Sequence, residues 1–174
     1  MKKSAGMIIA ITVVAILLMG PFITGKSSIA AEKARDGRFI AYDNGTILDT
    51  KTNLMWAEKD NGSTLSWVLA KSYCESYRGG DYKDWRLPTQ DDLAGLYDEA
   101  IANKTDNERT AHLTKLIHLT SGSIWASESS VLPHASAVSH ADTASIFIFT
   151  RGKRFSIRAD SPTIACALPV RSVK

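Results

Sequence analysis

The chain has 174 residues with 21 basic and 18 acidic side chains, but Lys2, Lys3 and Lys26 all fall in its first thirty residues, so the remainder holds 18 of each sign and is formally neutral. A neutral body excludes the global positive field that draws in nucleic acid, although local patches of one sign survive. The roughly 140 residues beyond the first thirty suit one domain around one core.

Residues 1–30 read as a targeting segment. Lys2 and Lys3 form a basic start, residues 5–19 are uncharged and almost wholly apolar, and Gly20-Pro21 breaks the run. Small residues at Ser28 and Ala30 fit a signal-peptidase cut ahead of Ala31. Two other readings compete with a cleaved signal. Counted over residues 5–24 the stretch is long enough for an uncleaved membrane anchor. Gly6 before a long apolar helix suggests a type IV pilin leader, but the acidic residue that should follow the cut is missing. Each reading predicts export to the periplasm or cell surface, or inner-membrane anchoring through residues 5–24.

Residues 31–37 look like a polar linker, and a domain is expected over 38–172. Its first segment, RFIAYDNGTILD, sets two β-rich runs around Asn44-Gly45, which supplies the positive φ angles of a tight hairpin. Residues 50–53 read as a second turn, and Leu54-Met55-Trp56 as a short buried strand. Residues 61–64 supply turn and cap residues for a helix over about 65–77, with Trp67, Ala70, Cys74 and Tyr77 on one face and Gly79-Gly80 at its end. After the segment DWRLPT, Thr89 and Asp92 form a capping-box pattern opening a second helix over about 90–100, with Asp91 and Asp92 placed well for its dipole.

Residues 101–122 are harder to read. Leu113, Leu116 and Ile117 suggest a turn or two of helix, and residues 103–109 a loop. Ile124-Trp125 looks like a strand start, and the Ser-, Ala- and His-rich residues 127–143 like a long surface loop. Strands are expected again at 145–150, at 154–159 after a turn at Arg151-Gly152, and at 164–170. Alternation in the middle one puts Phe155 and Ile157 on a buried face and Arg154, Ser156 and Arg158 on a basic one. The fold class is therefore α+β, with N- and C-terminal strands in one antiparallel sheet, two helices to the side and a long irregular loop region. Cys74 and Cys166 are the chain's only cysteines. In an oxidising compartment an even count favours one long-range disulfide, against the alternative of two buried free thiols.

The ordered set Asp43-Asn44-Gly45-Thr46, Asp49, Thr52-Asn53-Leu54-Met55-Trp56, Tyr73-Cys74, Gly79-Gly80, Tyr82, Asp84-Trp85-Arg86-Leu87-Pro88-Thr89, Ile124-Trp125-Ala126-Ser127-Glu128 and Pro169-Val170-Arg171 resembles the C-terminal domain of the Legionella collagen-like adhesin and its bacterial relatives. The resemblance covers nearly all of residues 38–171, and DWRLPT is its most specific part. It implies a C-type-lectin-like fold, distantly related to formylglycine-generating enzymes, with a binding face on the long-loop region. It also implies a disulfide from the end of the first helix to a late strand. Cys166 lies several residues ahead of the family's position for the second cysteine, which implies a shifted register, and residues 101–122 do not align.

Candidate chemistry is sparse. Trp85-Arg86-Leu87-Pro88 could grip a sugar or an anion, but packing of Trp85 and Leu87, with Arg86 bonding carbonyls or a carboxylate such as Asp84, is the stronger reading; Trp56 and Trp125 complete this structural motif. The basic cluster Arg151, Lys153, Arg154 and Arg158 is the best binding patch, because residues 151–174 hold six basic side chains against one acid, Asp160. The collagen-like adhesin that the chain resembles is associated with sulfated polysaccharides, and a basic strand face is a sensible receptor for them because arginine forks suit oxyanions. The plainer alternative is a charged edge that blocks strand-to-strand aggregation. His134, His140 and Asp142 match no metal-ligand spacing. The sugar motifs of calcium-dependent lectins are absent from the sequence, and Ser127, Ser129 and Ser130 sit in no nucleophile motif. The oxidase relatives use reactive cysteines and copper, which a disulfide would preclude.

The expectation is thus a non-catalytic ligand-binding or adhesion-type domain, without cofactor or metal, whose partner is a glycan or an envelope protein rather than nucleic acid. A structural subunit docking onto a pilus or envelope complex is the alternative, and an enzyme the last choice.

Overall fold

The computed structural model describes residues 30–130, 143–161 and 164–173. Ten strands and two α-helices follow in the order β1 (Glu32–Asp36), β2 (Phe39–Tyr42), β3 (Thr46–Asp49), β4 (Leu54–Ala57), α1 (Trp67–Ser76), α2 (Gln90–Leu96), β5 (Asn103–Lys104), β6 (Thr110–Ala111), β7 (Ser123–Ser130), β8 (Thr143–Ile148), β9 (Lys153–Arg158) and β10 (Val170–Ser172). They form a five-stranded sheet ordered β1-β2-β3-β4-β10, a three-stranded sheet β7-β8-β9 and the small hairpin β5-β6, all antiparallel. The fold is α+β, and the first and last strands share one sheet as expected. Among the described residues no helix is long and apolar enough to cross a membrane.

The β2-β3 hairpin turns at Asn44-Gly45, where Gly45 has φ 76° and the Thr46 hydroxyl donates to Asn44 Oδ1 at 2.8 Å. The expected linker is instead largely β1. Its side chains are charged and half exposed, with an Arg35–Glu32 pair at 2.9 Å, so no apolar alternation marks it. It is held by pairing with β2, and its charges suit an outer edge.

The Thr89 capping box forms as read: Asp92 N donates to Thr89 Oγ1 at 3.0 Å, and Thr89 N to Asp92 Oδ2 at 2.8 Å. Yet α2 stops at Leu96 instead of running to residue 100. Asp98 draws Ala100 N onto its side chain at 3.0 Å, a local bond that competes with further helix. Residues 113–117 form no helix; Leu113, Ile117 and Leu119 are buried from irregular chain. The expected loop 127–143 is strand at its start, since β7 reaches Ser130 across a bulge between Trp125 and Ser129. His134, His140 and Asp142 lie outside the described residues.

Two apolar clusters make the core. One joins Phe39, Ile47 and Trp56 of the large sheet to Leu93 and Leu96 of α2 and to Ile124, Phe147 and Phe149. The other packs Ala70 and Cys74 of α1 on Trp125, Ala144 and Ile146. The expected strand over 164–170 is an extended thread between them, with regular pairing only from Val170. Its side chains alternate: Cys166, Leu168 and Val170 enter the first cluster, Ala165 and Ala167 the second.

Candidate functional site

The segment from Asp84 to Thr89 is a structural junction. Trp85 is buried, and its indole donates to the Gly79 carbonyl at 3.1 Å. The Arg86 backbone exchanges hydrogen bonds with Val170 at 2.8 and 3.0 Å, joining this segment to β10. The Arg86 side chain bonds the Leu87 carbonyl at 3.2 Å, as expected, but its carboxylate is Asp92, at 2.7 Å, not Asp84. Burial would raise the Asp92 carboxyl; hydrogen bonds from Arg86 and the Thr89 backbone outweigh it and hold the group below its ordinary value. Asp84 pairs with Arg171 at 2.6 and 3.1 Å. The Pro88 carbonyl accepts Ser127 N at 2.7 Å and leads into the helix cap.

The strand that carries the basic cluster forms where it was expected, but its burial does not alternate as its sequence does. In β9 Lys153, Arg154, Ser156 and Arg158 are exposed, Arg151 is exposed in the preceding turn, and β9 pairs only with β8 among the described strands. Two of the four cations have acidic neighbours: Arg154 meets Asp91 at 2.7 Å, and Arg158 reaches Asp160 at 3.1 and 2.7 Å. These pairs sit on the surface, where water and salt screen them and leave them weak. Arg151 and Lys153 have no ion pair among the described residues. Arg171, counted in the same basic stretch, is buried and bound to Asp84, so it adds nothing to the patch. The companion face is less buried than its pattern suggests: Phe155 is 42% exposed, on a strand with one neighbour among the described strands.

The expected disulfide is not formed: Cys74 and Cys166 are both buried free thiols. The alternation of the 165–170 thread is the reason. Cys74 packs against Ala165 and Ala167, while Cys166 points the other way, with its Sγ 3.6 Å from Ser121 Oγ. Burial pushes both thiols up, Cys166 to about 11 and Cys74 further still. Because the thiolate is the reactive form, native protein should react with a thiol reagent at least about a hundredfold more slowly than a free cysteine. Denatured, unreduced chain should then give two thiols. A count of zero would mean that the cysteines are paired.

The loop region contributes a cavity of about 420 Å³, lined by Thr64, Asn107, Arg109, Ser121, Gly122, Ser123 and Ile164. Sequence reading missed it, since its residues come from four separate segments with no shared local pattern. A smaller cleft of about 260 Å³ lies beside Arg38 and Tyr97. Its Arg38 is already engaged by Asp49 at 3.0 Å and by the Gly95 carbonyl. Among the described residues no three or more His, Cys, Asp or Glu side chains gather as a metal site.

No curated protein matches the chain. Residues 45–162, more than half of the sequence, match the family model of the Lcl C-terminal domain. That stretch takes in the DWRLPT junction, buried Trp125, every lining residue of the loop-region cavity except Ile164, and the whole of β9. The chain therefore belongs to the Lcl C-terminal domain family, which makes it a domain of adhesin type.

Proposed function

We propose that this is an exported, non-catalytic binding domain that recognises anionic polysaccharide through β9 and the turn before it. One observation carries the reading: Arg151, Lys153, Arg154 and Arg158 stand exposed on one strand and the turn before it, in a domain whose charges balance only when these four are counted. Arg154 and Arg158 share one face of the strand roughly 13 Å apart, with Lys153 on the opposite face, so a polymer lying over the strand can meet all three with charges repeated along it. The contacts of Arg154 and Arg158 with Asp91 and Asp160 are weak enough for sulfate or carboxylate oxygens to replace them. The non-catalytic part of the reading is supported by the thiols, which are too buried and too weakly acidic to act as nucleophiles. Export is supported by the apolar run at residues 5–19.

The Arg151→Ser, Lys153→Ser, Arg154→Ser chain should bind immobilised heparin at least tenfold more weakly than the parent at low salt. Parent affinity should itself fall steeply as salt is raised. Equal affinity of the two chains would end the proposal.

A further inference from the structure

The 420 Å³ cavity in the loop region has a volume typical of small-molecule sites, and its walls are chemically mixed. Thr64, Ser121 and Ser123 bring hydroxyls, Asn107 an amide, Ile164 an apolar surface that is 40% exposed, and Arg109 a guanidinium. The Arg109 side chain has no hydrogen-bond or ion-pair partner among the described residues, so its five donors remain for a ligand.

The walls are set in advance. Ser121–Ser123 is tied to the core by Phe149 N donating to Gly122 O at 2.7 Å and Cys166 N to Ser123 O at 3.0 Å, and Gly122 lies so close to Thr150 that a Cβ would overlap it. Arg109 sits at the end of the β5-β6 turn. There Thr105 takes its backbone N–H at 3.2 Å, Glu108 adopts φ 57°, and Asp106 N bonds Leu119 O at 3.0 Å. The backbone of these two walls is therefore held before binding, which lowers the entropic cost.

The position is informative too. Ser123, Ile148 and Lys153 are cross-strand partners in one row, and such partners point to the same face. Lys153 therefore stands about 10 Å, two strand spacings, from Ser123 at the cavity wall. The cavity opens at the end of the sheet where the basic strand begins.

We infer that this cavity is a subsite for one acidic sugar unit, with its carboxylate or sulfate on Arg109, its hydroxyls on the Thr64, Asn107, Ser121 and Ser123 side chains and its carbon face on Ile164. A single cation suits one anionic group rather than a string of phosphates, and among the lining residues there is no aromatic ring to stack a nucleobase. The inference rests on the polysaccharide reading of β9 for its biological setting, and it makes the cavity the end stop of a polymer whose remaining charges run toward Lys153.

The test titrates the full chain, 15N-labelled, with glucuronate, N-acetylglucosamine 6-sulfate, glucose and inorganic sulfate. Either or both acidic sugars should shift the Gly122 and Ser123 amides and the Arg109 side-chain signal, and their relative affinity identifies the anion; glucose and inorganic sulfate should each bind at least tenfold more weakly. Arg109→Ala, an exposed side chain whose loss leaves the fold intact, should weaken the acidic sugar at least tenfold. Asn107→Asp should do the same by charge repulsion. The Arg151→Ser, Lys153→Ser, Arg154→Ser chain should lose the polymer but keep the monosaccharide. Unchanged acidic-sugar binding in Arg109→Ala, or inorganic sulfate binding as well as the sugars, would overturn the subsite. Loss of the monosaccharide in Arg109→Ala with polymer binding indifferent to the β9 changes would keep the subsite and remove the β9 reading.

Discussion

Replacing Trp125 with alanine should cost about 4 kcal/mol, within the range for deleting a buried aromatic ring, and lower the melting temperature by roughly 15 °C. The ring is fully buried in the second cluster, and its indole donates to the Leu65 carbonyl at 2.7 Å. Its neighbours there include Ala70, Ala144, Ala159, Ala165 and Ala167, none with a side chain that can swing into the space. The cavity would stay open, and the cost should sit high in the range. Trp125→Phe keeps most of the volume but strands the Leu65 carbonyl, so a loss of about 2 kcal/mol is expected. Thermal and urea melts followed by circular dichroism measure both. A Trp125→Ala chain within about 1 kcal/mol of the parent would show that this ring is not what fills the second cluster.

The Asp84–Arg171 pair gives the second large effect. Arg171 is only 8% exposed, reaches Asp84 at 2.6 and 3.1 Å, and lies 3.9 Å above the Tyr82 ring. Asp84→Ala leaves a buried guanidinium short of its main counter-charge. Full burial of both partners would put the cost higher, but Asp84 is half exposed, so about 2–3 kcal/mol is expected. Arg171→Met removes the charge and keeps an apolar stem over Tyr82. In the double variant Asp84→Ala, Arg171→Met the loss should be clearly smaller than the sum of the single losses. Additive losses in urea melts would show that the two side chains do not act as a pair.

Features written in short stretches of sequence were legible. Thr89 and Asp92 cap α2 as their spacing dictates, and Gly45 turns the hairpin, because both rest on contacts within a few residues. The sheet with joined ends was legible in outline for the same reason: β2, β3 and β4 carry their own β signals. What failed depended on distant partners. The charged β1 has no pattern of its own and exists through β2. The cysteine count pointed to a bridge, but the alternation that sends Cys166 away from Cys74 is fixed by the course of the 165–170 thread, which packs on both clusters at once. Asp84 is the acid nearest Arg86 in sequence on one side, yet the Thr89 cap brings the Asp92 carboxylate closer in space. Of the candidate site, the basic strand was readable from its own residues, though its burial was not. Arg109 was not, because nothing local connects it with Thr64, Ser121 or Ile164.

The thread at 165–170 also sets when the molecule can form. Both clusters need its side chains, β4 needs β10, and Arg86 needs the Val170 backbone, so each half of the structure waits for a segment at the far end of the domain. Contacts that span so much of the sequence carry a high loop-closure cost and close late. A growing chain therefore has no stable partial domain to stop at. The domain stays pliable until residues 165–172 are in place, and versions that lack them have no native state to reach.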